Sequence, residues 1–289
     1  MLKTLSATKN ISYLINKHKD SIPRIERELL LSYIFKCRRE ALYVNELYFD
    51  GEIEGVYDSL VDRRLSGEPL QYIIGHAEFM GRDFYVTKDV FIPRPETEIL
   101  LNEALSLATH LESSENRSLK ILDLCTGCGN IAVSLGRSMP QARITATDIS
   151  WPALRVAERN SIMHGTSENV AFYEGDLFKA LPFNKRHKFD IIVCNPPYIK
   201  SSEIGSLQKE VRREPRIALD GGGEGLEFYK RIKSASPHYL KKGGALFLEI
   251  GFHQAQDVVD LFSSQKSFKV RKIGKDFSGL ERVVWIDLL

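Results

Sequence analysis

Phe189-Asp190-Ile191-Ile192-Val193-Cys194 is an apolar run interrupted by one acid, and it ends in Asn195-Pro196-Pro197-Tyr198. A run of this kind reads as a buried parallel strand, covered on both faces. A chain that contains one must supply helices for both sides of a sheet. Pro196 and Pro197 have no N–H and a fixed φ, so the ladder stops there. The corner they make leaves free carbonyl groups at the carboxyl end of the strand. The Asn195 side-chain carbonyl and the Pro196 main-chain carbonyl are then placed to accept hydrogen bonds from one planar NH₂ group. Tyr198 offers a ring on which a flat group can stack. An amide or an exocyclic amine suits this corner. A bare Pro-Pro would mean no more than a strand-ending turn; Asn before it and Tyr after it point to chemistry.

The rest of the chain falls into line with that strand. Leu119 to Leu124, Arg143 to Asp148, Val170 to Tyr173 and Ala245 to Ile250 read as further strands. Helical patterns separate them: Ile131 to Met139, Pro152 to about Met163, Leu226 to Tyr239, and Gln254 to Phe262 after the last. Phe268 to Ile273 and Arg282 to Ile286 read as a closing antiparallel pair. Strands alternating with helices predict an α/β fold, a doubly wound, mostly parallel sheet with helices on both faces. The stretch to about Gly75 reads as a small helical bundle. Ser21-Ile22-Pro23 opens one of its helices, with Ser21 as cap, and His18 reads as an exposed histidine. Gly75 to Val90 reads as a short hairpin joining the two parts. The expected segments are therefore 1–75, 76–92 and 93–289. Between hairpin and sheet, Phe91-Ile92-Pro93-Arg94-Pro95-Glu96-Thr97-Glu98 is a stiff elbow leading into a helix.

Asp123-Leu124-Cys125-Thr126-Gly127-Cys128-Gly129-Asn130 is a strand, a glycine turn and a helix start. The next strand ends in Asp148, and the third closes on Gly175-Asp176-Leu177. Together these form a nucleoside-cofactor fingerprint. Glycine lets the main chain approach the ligand, a helix N-terminus lies beneath it, and Asp148 can accept both ribose hydroxyls. The dinucleotide pattern Gly-x-Gly-x-x-Gly is absent. Asp123 within the turn suits a cation, such as the ammonium of a methionine moiety, which favours S-adenosylmethionine over NAD. The cofactor-binding set is Asp123, Leu124, Cys125, Thr126, Gly127, Gly129, Asp148, Ile149, Asp176, Leu177 and Asn195. Cys125 and Cys128 form a C-x-x-C, but no second pair completes a metal site, and no metal is expected.

Lys and Arg total 40 against 38 Asp and Glu, a net charge of +2. That balance argues against a chain whose main task is coating nucleic acid. The four cysteines are too scattered for a disulfide framework, and neither a membrane-length apolar run nor a signal-peptide pattern is present. A cytoplasmic, reduced setting is expected. Lys209 to Arg216 is a mixed charge run that reads as a solvated helix face or as a rim for a macromolecular substrate. Asp220 to Gly225 reads as a flexible lid or a plain connector.

Taken together, Gln71-Tyr72-Ile73-Ile74-Gly75, the Pro-Arg-Pro-Glu-Thr elbow, the glycine turn, Asn195-Pro196-Pro197-Tyr198-Ile199, Glu214-Pro215 and Ala218-Leu219-Asp220-Gly221-Gly222 resemble the release-factor glutamine methyltransferases. This is the HemK/PrmC family of class I S-adenosylmethionine-dependent enzymes, and the resemblance covers nearly the whole chain. It implies a seven-stranded sheet. It implies methylation of the side-chain amide nitrogen, N5, of the glutamine in the Gly-Gly-Gln motif of peptide-chain release factors. It also implies an N-terminal domain that docks the release factor, and a monomer with no stable nucleic acid or membrane partner. Asn195, Pro196 and Tyr198 would be catalytic, and Pro197, Phe91 and Arg94 would join them in binding substrate. The sequence departs from the family at Cys125, where Gly is usual, and at Cys128, often Ser. The corner alone does not separate an amide from an aromatic amine. Adenine-N6 or other exocyclic-amine methylation of DNA or RNA is the alternative.

Overall fold

The computed structural model describes residues 9–182 and 188–289. The first eight residues of the expected 1–75 segment, and 183–187 of the expected 93–289 segment, lie outside them. The chain divides into two compact units. One runs to Gly75 and takes in Gln208–Arg213; the other holds His76–Leu207 and Glu214–Leu289.

Seven strands make the sheet of the larger unit. They are β1 (Lys120–Leu124), β2 (Arg143–Asp148), β3 (Val170–Glu174), β4 (Phe189–Cys194), β5 (Leu240–Glu249), β6 (Phe268–Lys275) and β7 (Glu281–Leu288). Their order is β6-β7-β5-β4-β1-β2-β3. From β5 to β3 all neighbours are parallel, and β7 lies antiparallel between β5 and β6. The expected doubly wound, mostly parallel, seven-stranded sheet is present. The strand order turns back between β1 and β4, so a crevice opens beyond their carboxyl ends. In open α/β sheets such a crevice is where ligands bind.

Side chains alternate along β4. Ile191 and Val193 enter one core cluster and Ile192 and Cys194 the other, all of them fully buried. Each such aliphatic side chain contributes about 1.5–3 kcal/mol on leaving water. The first cluster is completed by helices α1 (Thr97–Glu115) and α2 (Asn130–Ser138). The second is completed by α4 (Glu227–Tyr239) and α5 (Ala255–Ser263). A fifth helix, α3 (Trp151–Met163), begins where the Ser150 hydroxyl accepts the Ala153 N–H, with Pro152 in its first turn. The hairpin His76–Phe79/Arg82–Tyr85 is present and belongs to this unit. Asn160 of α3 bonds both the N–H and the carbonyl of Tyr85.

The smaller unit packs Leu14, Leu30, Leu31, Leu42, Phe49, Tyr57 and Val61 into its own core. Two local expectations fail there. The helix Arg24–Phe35 has Pro23 at its N-cap and no side-chain cap, so Ser21 does not cap it. His18 is not a free surface group, because its Nε2 bonds Asp58 Oδ1 at 2.8 Å. The charge run from Lys209 is not one helix face. It breaks into short 3₁₀ turns at Val211–Arg213 and Arg216–Ala218. Glu210 pairs with Arg64, which also holds Glu26. Among the described residues, no helix is long and apolar enough to cross a membrane.

Candidate functional site

Strand register brings the chemistry-bearing residues into one row. Leu124 of β1 lies opposite Thr147 of β2 and Cys194 of β4, and Cys194 lies opposite Leu248 of β5. One residue further along each strand come Cys125, Asp148, Asn195 and Glu249. The glycine turn, the second-strand acid and the Asn-Pro-Pro corner therefore share the carboxyl edge of the sheet.

The turn is tightly built. Gly129 starts α2 with φ +82°, and a Cβ there would stand 3.0 Å from that of Ala157. Only glycine meets both demands. Asp148 Oδ2 accepts the Gly127 N–H at 2.8 Å and Oδ1 accepts the Ser150 N–H at 2.9 Å. Each oxygen keeps a second lone pair for an arriving hydroxyl. Burial raises the Asp148 carboxyl and these N–H groups oppose the rise. Asp123 is fully buried. Its Oδ2 accepts the Thr126 hydroxyl at 2.6 Å, while Oδ1 has no hydrogen-bond partner among the described residues. Burial pushes its carboxyl up to about 7. A buried carboxylate with an orphaned oxygen fits the approach of a cation, so the residues present fit a cofactor that carries a ribose and an ammonium group. Ile149 is half exposed beside Asp148. On the third strand side, Asp176 is ion-paired with Arg231, and Leu177 is buried with a positive φ.

The cysteines of the turn are free thiols. Cys128 is buried, its Sγ is 3.6 Å from Asn130 Oδ1, and burial pushes its thiol up to about 12. A thiol held neutral in this way is a packing group rather than a nucleophile. Cys125 has φ +59°, a conformation that costs a side chain strain. Among the described residues, no group of three His, Cys, Asp or Glu could hold a metal ion.

At the corner, the one hydrogen bond of the Asn195 side chain among the described residues runs from Nδ2 to Thr97 Oγ1, at 3.3 Å. Oδ1 is left open. The Pro196 carbonyl likewise accepts no main-chain N–H among them. The Tyr198 hydroxyl reaches Glu249 Oε1 at 3.4 Å, and its carbonyl accepts Gln254 Nε2 at 3.0 Å. The Asp220 to Gly225 loop is no free lid. Ile199 pairs with Asp220, and the loop closes onto Tyr198 so tightly that a Cβ on Gly221 would sit 2.7 Å from the Tyr198 Cα.

The elbow also reaches this edge. Arg94 lies over the Phe91 ring, 4.7 Å from its centre, and pairs with the buried Glu214. Thr97, Glu214 and Glu249 are the side chains to which the sequence reading gave no role. Each had a signal: Thr97 in the elbow, Glu214 before Pro215, and Glu249 as an acid ending an apolar strand.

Known proteins resemble this chain over most of its length. The family described as "PrmC N-terminal domain" matches residues 6–75, and "Methyltransferase small domain" matches 102–226. A "Release factor glutamine methyltransferase" of Geobacter sulfurreducens is 42% identical over 90% of this chain and 88% of its own length. One of Thermodesulfovibrio yellowstonii is 38% identical over 97% of both. Among solved structures, the hMettl16 catalytic domain in complex with the MAT2A 3'UTR hairpin 1 has a TM-score of 0.55. It is 16% identical and covers 94% of this chain and 93% of that chain, a likeness of fold.

Proposed function

We infer the reaction from one premise: the chain belongs to the family of release factor glutamine methyltransferases. It is an S-adenosylmethionine-dependent protein-(glutamine-N5) methyltransferase. It transfers a methyl group to the side-chain amide nitrogen of the glutamine in the Gly-Gly-Gln motif of peptide-chain release factors. It acts as a monomer in the cytoplasm and holds no nucleic acid. The unit that runs to Gly75 selects the protein substrate.

The observation that supports this reading best is the open Oδ1 of Asn195, one strand away from the glycine turn. Bound S-adenosylmethionine supplies an electrophilic methyl carbon on a sulfonium. Asp148 would accept from the ribose hydroxyls, Asp123 would pair with the ammonium, and Leu124, Cys125, Thr126, Gly127, Gly129, Ile149, Asp176 and Leu177 would line the site at the same edge. An amide nitrogen is a poor nucleophile because its lone pair is delocalised into the carbonyl. The chain's task is therefore to hold that nitrogen in line and to favour charge growing on it. Asn195 Oδ1 and the Pro196 carbonyl accept its two N–H groups, and Tyr198 packs on the amide plane. Pro197 stiffens the corner, while Phe91 and Arg94 flank the incoming loop.

Peptide mapping by mass spectrometry after incubation with a bacterial release factor tests the reading. Methyl should fall on the Gln of Gly-Gly-Gln and vanish when that Gln is replaced. An unmodified release factor, with methyl appearing on adenines of DNA or RNA, would overturn it.

A further inference from the structure

Thr97 opens α1 and is 1% exposed. Its Oγ1 accepts the Asn195 Nδ2 hydrogen. A hydroxyl has a single hydrogen to give, and a buried one must send it to an acceptor. Glu249, at the end of β5, stands one residue past Leu248, which pairs with Cys194, and so flanks Asn195 at the sheet edge. Its carboxyl is 2% exposed, Oε1 faces the Tyr198 hydroxyl, and Oε2 has no hydrogen-bond partner among the described residues. The Thr97 hydroxyl favours the ionised carboxyl, and Oε2 is the buried acceptor left open to it.

We propose that Thr97 and Glu249 are positioning residues that set the polarity of the Asn195 amide. Glu249 accepts from Thr97, Thr97 accepts from Asn195 Nδ2, and Oδ1 is thereby turned towards the substrate. This rests on the reading above, in which the methyl acceptor is an NH₂ group held by Asn195. An asparagine amide can turn over about its last bond and present NH₂ in place of its carbonyl. Two NH₂ groups facing each other do not bond. The relay has a direction because an ionised carboxylate at its far end can only accept. If Glu249 carries a proton, Thr97 is free to donate to Oδ1, and the amide shows its wrong end. The same carboxylate takes the Tyr198 hydroxyl, so one buried group orients both the amide and the ring at the corner.

Burial holds the Glu249 carboxyl up at about 7; Thr97 and Tyr198 pull it down by hydrogen bonds, Glu96 raises it and Arg282 lowers it. Cys194 and Tyr229 lie near, and burial raises both well above their usual values, so they stay neutral. The relay is therefore complete only on the alkaline side of this value.

Thr97→Val, Thr97→Ser and Glu249→Gln, made in the full chain, test the proposal. Methylation of an intact release factor would be followed between pH 6 and 9, with S-adenosylhomocysteine affinity measured by calorimetry. Thr97→Val should lower kcat by about 10- to 100-fold, the scale of a small misplacement at the reacting centre. Its KM for release factor should stay within about twofold and its nucleoside affinity should not change; Thr97→Ser should restore most of kcat, as one hydroxyl replaces another. Wild-type kcat should rise through an apparent pKa near 7 that is missing in Glu249→Gln. Equal kcat in wild type and Thr97→Val would overturn the proposal. So would an equal loss in the Val and Ser variants, or an unchanged pH limb in Glu249→Gln. If Thr97→Val loses its fold, seen as lost nucleoside binding, the Ser variant and the Glu249→Gln profile still decide. A wild type that leaves the glutamine unmethylated is a different failure, and it removes the reading on which the proposal stands.

Discussion

Glu214 takes hold of Arg94 from 120 residues away along the chain. Its Oε1 pairs with the guanidinium, and its Oε2 accepts the Ile92 N–H at 3.0 Å. One buried carboxylate thus ties the elbow on both sides of Pro93. Glu214→Ala would leave a buried N–H without a partner and the Arg94 charge without its pair. The expected loss of stability is about 1–3 kcal/mol, kept low because Arg94 is partly exposed and can recover water. Urea unfolding measures it, and a loss under about 0.5 kcal/mol would mean that the prolines alone hold the elbow.

Asp123 predicts how cofactor binding depends on pH. Burial, with a smaller push from Asp148, holds its carboxyl up at about 7, while Thr126 and the Ala132 N–H pull the other way. The folded, cofactor-free protein therefore keeps this proton over a range in which the unfolded chain has lost it. The stability contributed is full below an ordinary carboxylate value of about 4, and it is gone once pH has passed about 7. A bound ammonium needs the ionised form. S-adenosylhomocysteine affinity should fall by up to about tenfold for each pH unit below about 7. In Asp123→Asn the affinity should be weak and flat with pH. Calorimetric titrations at pH 5, 6, 7 and 8 check this, and a flat wild-type profile would remove Asp123 from the ammonium site.

Cys125 stands where the backbone wants glycine, with φ +59°. Cys125→Gly relieves about 1–2 kcal/mol of left-handed strain. It gives back roughly 0.5–1 kcal/mol in unfolded-chain entropy. It also removes a thiol that packs on the second core cluster, of which Cys194 is a member. The net expectation is a gain of up to about 1 kcal/mol, with cofactor affinity equal or better. Thermal and urea unfolding of the pair of proteins decide it. A destabilised variant would show that this packing outweighs the strain.

Much of this site could be read before the structure, for a physical reason. Strand, glycine turn, second-strand acid and Asn-Pro-Pro corner are local features, each written in a few neighbouring residues. The parallel register then brings them to one edge without further information. Thr97 and Asn195 are different, because 98 residues separate the partners of their hydrogen bond. Thr97 stands in the elbow motif, but nothing in that motif says that its partner is Asn195. His18 is hidden from the sequence in the same way, since its partner Asp58 lies 40 residues on. The Ser21 cap failed on local grounds: Pro23 itself holds the N-cap position, with φ −55° and ψ 149°. The loop around Gly221 looked free because glycines suggest mobility. Here they permit close approach to Tyr198 instead.

The corner distinguishes a glutamine from an adenine by which of its residues matters more. A glutamine carries its amide on a flexible stem with little area to grip. Its orientation must come from hydrogen bonds to both N–H groups, and Asn195 provides one acceptor through Oδ1. Asn195→Ala should lower turnover by about 10²–10³, the range for loss of one preorganised contact to the transition state. It should leave cofactor affinity largely intact, because Asp123, Asp148 and the turn lie on other strands. Asn195→Asp keeps an acceptor but adds a charge close to buried Glu249, and should keep partial activity only. Tyr198→Ala removes the ring and the hydroxyl that meets Glu249, and for a glutamine it should cost less turnover than Asn195→Ala. An adenine reverses the order. Its rigid ring would draw about 1–3 kcal/mol from stacking on Tyr198, so losing the ring would weaken acceptor binding more than losing the amide. Steady-state kinetics of both variants on an intact release factor, with KM and kcat separated, make the comparison. A Tyr198→Ala defect larger than that of Asn195→Ala, and confined to KM, would contradict a corner built to orient a glutamine.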